Sequence, residues 1–257
     1  MNLFSNRLEG SIMAQVLAVI FSLLLLPVTD VSADDQTIAQ ISTAQARSLY
    51  EKPVVYKIMR KGKRIGSHTV SIETTSSDDS NDFTVNVASL IKIKMLKLTV
   101  FSFDYQATEH WKDGLLNNVT ATTLQDGDRI KVSASRRENG FRLKTETGVR
   151  DPEESTATAK LFSYTSNHWH PGVVNSNQIF NTLTGNINQV NIKSLGKENL
   201  TIGNDADSIT VEAERFQYSG GLEAESWYGD DGRWLQLSFK GTDGSTIIYQ
   251  YAPEESQ

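Results

Sequence analysis

Four side chains in this sequence could hold a metal ion: His68, Glu109, His168 and His170. His168-Trp169-His170 sets two imidazoles two residues apart, and on a strand that spacing turns both rings to one face. Joined by Glu109 or His68, they would make a zinc ligand set. An open coordination position and a general base would then give a metal-assisted hydrolase. Nothing in the spacing makes the four converge, and no zincin-type helix motif accompanies them. The plainer reading is of polar loop and surface histidines, so neither a metal nor a cofactor is expected.

Other chemistry finds less support. No G-x-S-x-G elbow is present, no S-x-x-K with a K-T-G, and no cysteine. No glycine loop could cradle a phosphate. Asp230-Asp231 is a carboxylate pair at a turn, where it serves to cap amides. These absences weigh against an enzyme and favour a binding or structural protein.

The aromatic residues point to packing or to a ligand. Trp111, Trp227 and Trp234 suit sheet packing. Trp169 stands apart, inside a long polar stretch, where it could close as a lid over an apolar ligand. "EHWKDG" (109–114) and "ESWYGDDG" (225–232) repeat a pattern of Glu, then Trp two residues on, then a turn. Both read as hairpins of one sheet.

Period-two alternation dominates the chain from residue 53 to 251. Turn pairs such as Asp113-Gly114, Asp126-Gly127 and Asn139-Gly140 recur at close intervals. They imply an antiparallel meander of roughly eleven or twelve strands. In the run from Phe83 to Trp111 the apolar phase flips at Leu96 and again at Phe101. A slip of one residue would turn every side chain over, so a reversal near Met95-Leu96-Lys97 and a bulge near Val100-Phe101 are required. Gly66 similarly marks a bulge in the first hairpin. Lys92, Lys94 and Lys97 form a basic row, read as edge protection or as a docking patch for an acidic partner. Residues 148–189 interrupt the meander as a long insertion, with a helical turn expected over Ser176–Leu183. Residues 252–257 form a short tail.

Before the meander, residues 34–52 read as a short helix from Ile38, Ile41, Gln45 and Leu49, with Asp34 and Asp35 at its start and Pro53 ending it. Ala14 to Pro27 is an apolar run shorter than a membrane span. Small residues at Val31-Ser32-Ala33 then imply a signal peptide over 1–33, cleaved after Ala33. The exported product would not span the membrane. Without cysteine it carries neither a lipid-modified N-terminal Cys nor disulfides. The chain has 257 residues and a formal net charge of −6. That charge argues against a nucleic-acid partner, which needs a basic stripe, and weakly against broad docking on anionic lipid.

"YKIMRKGKRIGSHTV", "TEHWKDGLLN", "NTLTG" and "WYGDDGRWLQLSFKGTDGSTIIYQY" occur in this order. Together they resemble an uncharacterised family of exported bacterial proteins, a domain of unknown function. Its strand pattern is similar to that of lipoprotein-carrier-like half-barrel proteins. The resemblance implies a Gram-negative periplasm and a curled sheet with a helix in or across its concavity. It supplies no active site.

The expected fold is therefore all-β with minor α, a single antiparallel and strongly curved sheet or open half-barrel with a short N-terminal helix. The expected function is non-enzymatic. A periplasmic protein would bind a lipid or other apolar small molecule, or an envelope protein, in its concave face. Ile91, Ile93, Phe101, Phe103 and Tyr105 would line that face, with Trp169 above it. The same residues suit a filled core and a purely structural envelope protein.

Overall fold

The computed structural model describes residues 42–74, 82–96, 98–148, 153–203 and 208–256. The expected signal peptide, the acidic residues 34 and 35, most of the acidic loop after Thr74, and Lys97 lie outside the described residues. Among the described residues, one α-helix, α1 (Thr43–Ser48), precedes the strands. Ser42 caps it and Gln45 reaches back to the Ser42 amide, a capping box that satisfies two end groups at once. Ala46 buries its inner face.

Among the described residues, fifteen strands then form one open sheet, with its two ends not hydrogen-bonded to each other. The first eight are β1 (Val54–Arg60), β2 (Lys63–Thr74), β3 (Phe83–Met95), β4 (Leu98–Lys112), β5 (Leu115–Gln125), β6 (Asp128–Arg137), β7 (Gly140–Thr147) and β8 (Glu153–Ala159). They run as a meander outward from β1, and β8 is one edge. The others are β9 (Tyr164–Thr165), β10 (Gln178–Phe180), β11 (Ile187–Ile202), β12 (Ile209–Gly220), β13 (Ala224–Gly229), β14 (Trp234–Lys240) and β15 (Thr246–Tyr251). They run inward from β9, the other edge, until β15 pairs with β1. All pairs are antiparallel except β9 with β10, which is parallel.

The phase flips of the sequence become bulges. Ile93 pairs with Phe101 and Lys94 with Thr99, so Val100 is the extra residue. Ile58 pairs with Gly66 and Met59 with Arg64, so Ile65 is extra in the first hairpin. A Cβ on Gly66 would meet the Leu90 carbonyl at 2.1 Å, which is why glycine stands there. The reversal near Leu96 is present, with Leu96 at φ 49°.

The two halves meet through the segment expected as an insertion. Residues 148–189 are not one long loop. They hold β8, β9, a 3-10 turn at Pro171–Asn175 and β10. The helical turn expected over Ser176–Leu183 is instead a strand, because Ile179 and Phe180 pair with β9 and β11. Only residues 160–163 connect edge strand β8 to edge strand β9. Four residues span little more than a dozen ångströms, roughly 3.3 Å each when extended. The sheet must therefore curl until its ends approach. Phe162 within this connection stacks on Phe141 of β7 at 4.0 Å and on Phe180 of β10 at 5.4 Å, fastening the seam with side chains.

The interior is largely filled. One cluster joins Tyr56, Val70, Val85, Ala121, Val132 and Leu143 of the sheet to Phe162, Trp169, Val173, Ile179 and Phe180 of the connecting segment. A small second cluster, with Ile202, Ala213, Trp227 and Leu235, packs separately on β11–β14.

Candidate functional site

A row of polar and aromatic side chains crosses the inner face of β1–β5. Cα pairing places Tyr56 opposite His68, His68 opposite Ser89, Ser89 opposite Tyr105, and Tyr105 opposite Thr123. On β3 the inward positions read Phe83, Val85, Val87, Ser89, Ile91, so Ser89 interrupts an apolar series. A buried hydroxyl needs a partner, and Ser89 Oγ lies 2.6 Å from His68 Nδ1. Tyr249 on β15 packs edge-on against the same His68 ring at 5.4 Å.

Beside this row is a cavity of about 180 Å³. His68, Ser89, Phe103 and Tyr105 line one side, His168, Trp234, Leu237 and Tyr249 the other. Asn167 and Thr182 close its polar corner, where the Tyr105 hydroxyl donates to Asn167 Oδ1 at 2.6 Å and meets Thr182 Oγ1 at 2.7 Å. Leu183, Leu222 and Glu223 form a more exposed rim. His68 and His168 pack at the edge and on the face of Trp234, at 5.4 Å and 5.9 Å. His68 Nε2 and His168 Nδ1 are buried without a hydrogen-bond partner among the described residues. Burial, and then the charge of the neighbouring His168, lowers the His68 pKa to about 3. Burial alone lowers that of His168 to about 4. Both rings are therefore neutral at ordinary pH, each able to offer one donor and one acceptor nitrogen.

The left-handed backbone of His168, φ 59°, sets this arrangement. Tyr228 holds it by donating to the His168 carbonyl at 2.9 Å. The kink also separates the two rings of His168-Trp169-His170, which a regular strand would have put on one face. His168 packs on Trp234 and Tyr218. His170 stacks on Trp111 at 5.5 Å, accepts the Gly172 amide and lies 3.3 Å from the Thr43 hydroxyl.

Glu109 is taken up elsewhere. It is fully buried, and its oxygens accept bonds from Trp111 Nε1, Trp169 Nε1, Thr165 Oγ1 and Asn167 Nδ2 at 2.5–3.0 Å. The four residues considered for a metal are thus divided: His68 and His168 line this cavity, while Glu109 and His170 are bonded outside it. Among the described residues no group of three or more metal-binding side chains comes together. The set needed for a metal-assisted hydrolase is not assembled.

Of the residues expected to line a ligand site, Phe103 and Tyr105 face the cavity. Ile91, Ile93 and Phe101 pack instead in a small cluster with Ile58 and Ile247. Trp169 is not a lid. It is a buried plug, edge-on to Tyr50, Phe83 and Trp111, with its indole bonded to Glu109. Sequence reasoning missed Ser89, Asn167, Thr182 and Tyr249. The serine alone left a signal, as a polar residue at an inward strand position.

The repeated hairpin motif is structurally alike and chemically different. A register shift flanks each tryptophan, at His110/Trp111 and at Trp227/Tyr228. Trp111 packs in the main core, whereas Trp227 packs in the small cluster and donates to Glu198 at 2.6 Å. Glu225 is not buried like Glu109 but pairs with Arg215 at 2.7 Å.

Residues 56–252 match the model of a family described as Domain of unknown function (DUF6134). The chain belongs to this family. The matched span of DUF6134 runs from β1 to just past β15, and so contains both sides of the seam and the whole cavity. Among solved structures, this DUF6134 chain is similar to a beta-barrel-like protein of the domain of unknown function DUF1849 from Brucella abortus. The TM-score is 0.53 at 10% identity, over 78% of this chain and 94% of that one. At that identity the likeness concerns the fold. No curated protein matches the chain.

Proposed function

We propose that this DUF6134 chain is an exported, non-enzymatic protein of the bacterial periplasm that binds a small amphipathic ligand in the cavity between β1–β5 and the His168 segment. The observation that carries the reading is the pair of buried, partnerless imidazole nitrogens on the wall of an otherwise aromatic cavity. A polar atom buried without a partner costs about 1–3 kcal/mol. A ligand that pairs with both nitrogens would recover that cost. At about 180 Å³ the space suits one ring or a short hydrocarbon segment, not a whole lipid. The ligand is then a ring-sized molecule with a hydroxyl or similar neutral group, or the end of a larger amphiphile whose remainder leaves past Leu183 and Leu222.

Native mass spectrometry of protein recovered from the periplasm tests this, with phenol as the added probe. A retained small-molecule adduct, or phenol-dependent stabilisation, is expected in the wild type. Both should be lost in Ala224→Phe, which fills the cavity from β13. Wild-type protein that carries nothing and ignores phenol would leave the structural reading, in which the packed interior is an end in itself.

A further inference from the structure

The β3–β4 hairpin reaches beyond its neighbours. β2 stops pairing with β3 at Gly66–Ile91, and β5 stops pairing with β4 at Gln125–Phe103. Lys92–Met95 and Leu98–Phe101 therefore continue as a two-stranded ladder, roughly 13 Å at 3.3 Å per residue. An isolated two-stranded ribbon gains little stability in water; Ile93 and Phe101 pack at its base, but three further apolar side chains are left exposed. Leu96 is 93% exposed, Leu98 71% and Val100 50%. Lys92 and Lys94 are exposed beside them.

Strand directions show what else shares this end of the sheet. Because neighbours alternate, the β1–β2 turn lies at the same end as the β3–β4 tip, bringing exposed Lys61 and Lys63. So do the segments between β10 and β11 and between β12 and β13, which hold Leu183, Leu222 and Glu223. The cavity thus opens at the end from which the hairpin projects. Nearby acidic groups are in part engaged locally: Asp126 accepts the Ser102 amide at 2.7 Å, and Asp243 pairs with Arg60. Arg64 is paired with Glu255.

We propose that this end docks on an anionic lipid bilayer, with Leu96, Leu98 and Val100 entering the interface and Lys61, Lys63, Lys92 and Lys94 meeting lipid phosphates. Leucines flanked by lysines are the pairing an interfacial segment needs, since apolar insertion and charge attraction add. The net charge of the chain opposes adsorption over its whole surface and so restricts contact to this end. Docking does not depend on the cavity binding anything.

Residues Thr37–Gln257 form a compact unit, which keeps the apolar N-terminal stretch out of the assay. Flotation is measured with vesicles of equal parts phosphatidylethanolamine and phosphatidylglycerol, and with phosphatidylcholine vesicles as the neutral control. The unit should float with the first and not with the second, and release as salt rises. Leu96→Asp should weaken partitioning about tenfold or more, and Lys92→Glu/Lys94→Glu by a similar factor. Unchanged melting temperatures would show that both variants fold. Absence of flotation, equal binding to neutral vesicles, or equal binding by both variants would each overturn the proposal. So would a dimer that Leu96→Asp converts to monomer without any vesicle binding, which would make the tip a contact between copies.

Discussion

Trp169 Nε1 donates to Glu109 Oε2 at 2.8 Å, tying the connecting segment to the C-terminal part of β4. The same carboxylate accepts three further bonds, two of them from Thr165 and Asn167 of that segment. Removing it would leave four donors in a dry core. Glu109→Ala is expected to destabilise the protein by about 3 kcal/mol or more. Glu109→Gln keeps the shape but turns an amide NH₂ toward donors, and should cost less. Urea unfolding of both variants checks the order.

Stability should fall on acidification in a window set by the histidines. His68, His168 and His170 have folded pKa values lowered by burial to about 3, 4 and 4, against about 6.5 unfolded. Between those limits the unfolded chain binds more protons than the native one, so stability is full above about pH 6.5 and declines as pH drops toward 4. Each group contributes up to about 1.4 kcal/mol per pH unit. Chemical denaturation across pH should show this slope, and His170→Gln should flatten it. Lowered carboxyl pKa values at Glu146 and Glu255, held by Lys144 and Arg64, act in the same direction at lower pH, below the ordinary carboxylate range.

Phe162 is the aromatic fastener between the edge strands' neighbours β7 and β10. Phe162→Ala removes the ring that stacks on Phe141 and on Phe180. A loss of about 3–5 kcal/mol is expected. Hydrogen exchange should show β8 and β9 losing protection before β1 and β15, because the edges depend on this contact and the central strands do not.

Gly66→Ala and Leu96→Asp should behave oppositely. At Gly66 a methyl group would overlap the backbone of Leu90 and force β2 and β3 apart, so a cost of about 2 kcal/mol is expected. At Leu96 the side chain touches little, and aspartate accepts the positive φ. Its melting temperature should be close to wild type, within about 0.5 kcal/mol of stability.

The all-β class and the bulges were legible because a two-residue period records each change of face. Val100 and Gly66 show it directly: a register error would have placed Lys92 or Lys94 inside. Strand number was undercounted because β8, β9 and β10 all fall in the segment read as an insertion, and β9 and β10, with two and three residues, are too short to display a period. The plug was missed because Phe162, Trp169, Val173 and Phe180 lie among polar residues, and only the sheet that surrounds them makes that segment an interior. Only His68 and His168 of the metal-ligand set meet at the cavity, since the left-handed turn at His168 carries no signature that a single sequence displays.

β15 pairs with β1, strands far apart in the chain, and that one ladder joins the two meanders at the centre of the sheet. Nearly every other pairing is between consecutive strands and can form as soon as its hairpin exists. Closing the longest loop comes at a cost the chain meets only when its last strand is available. During synthesis, then, two half-sheets would wait with open middles, and the cavity wall built from Tyr249 would be among the final pieces set in place.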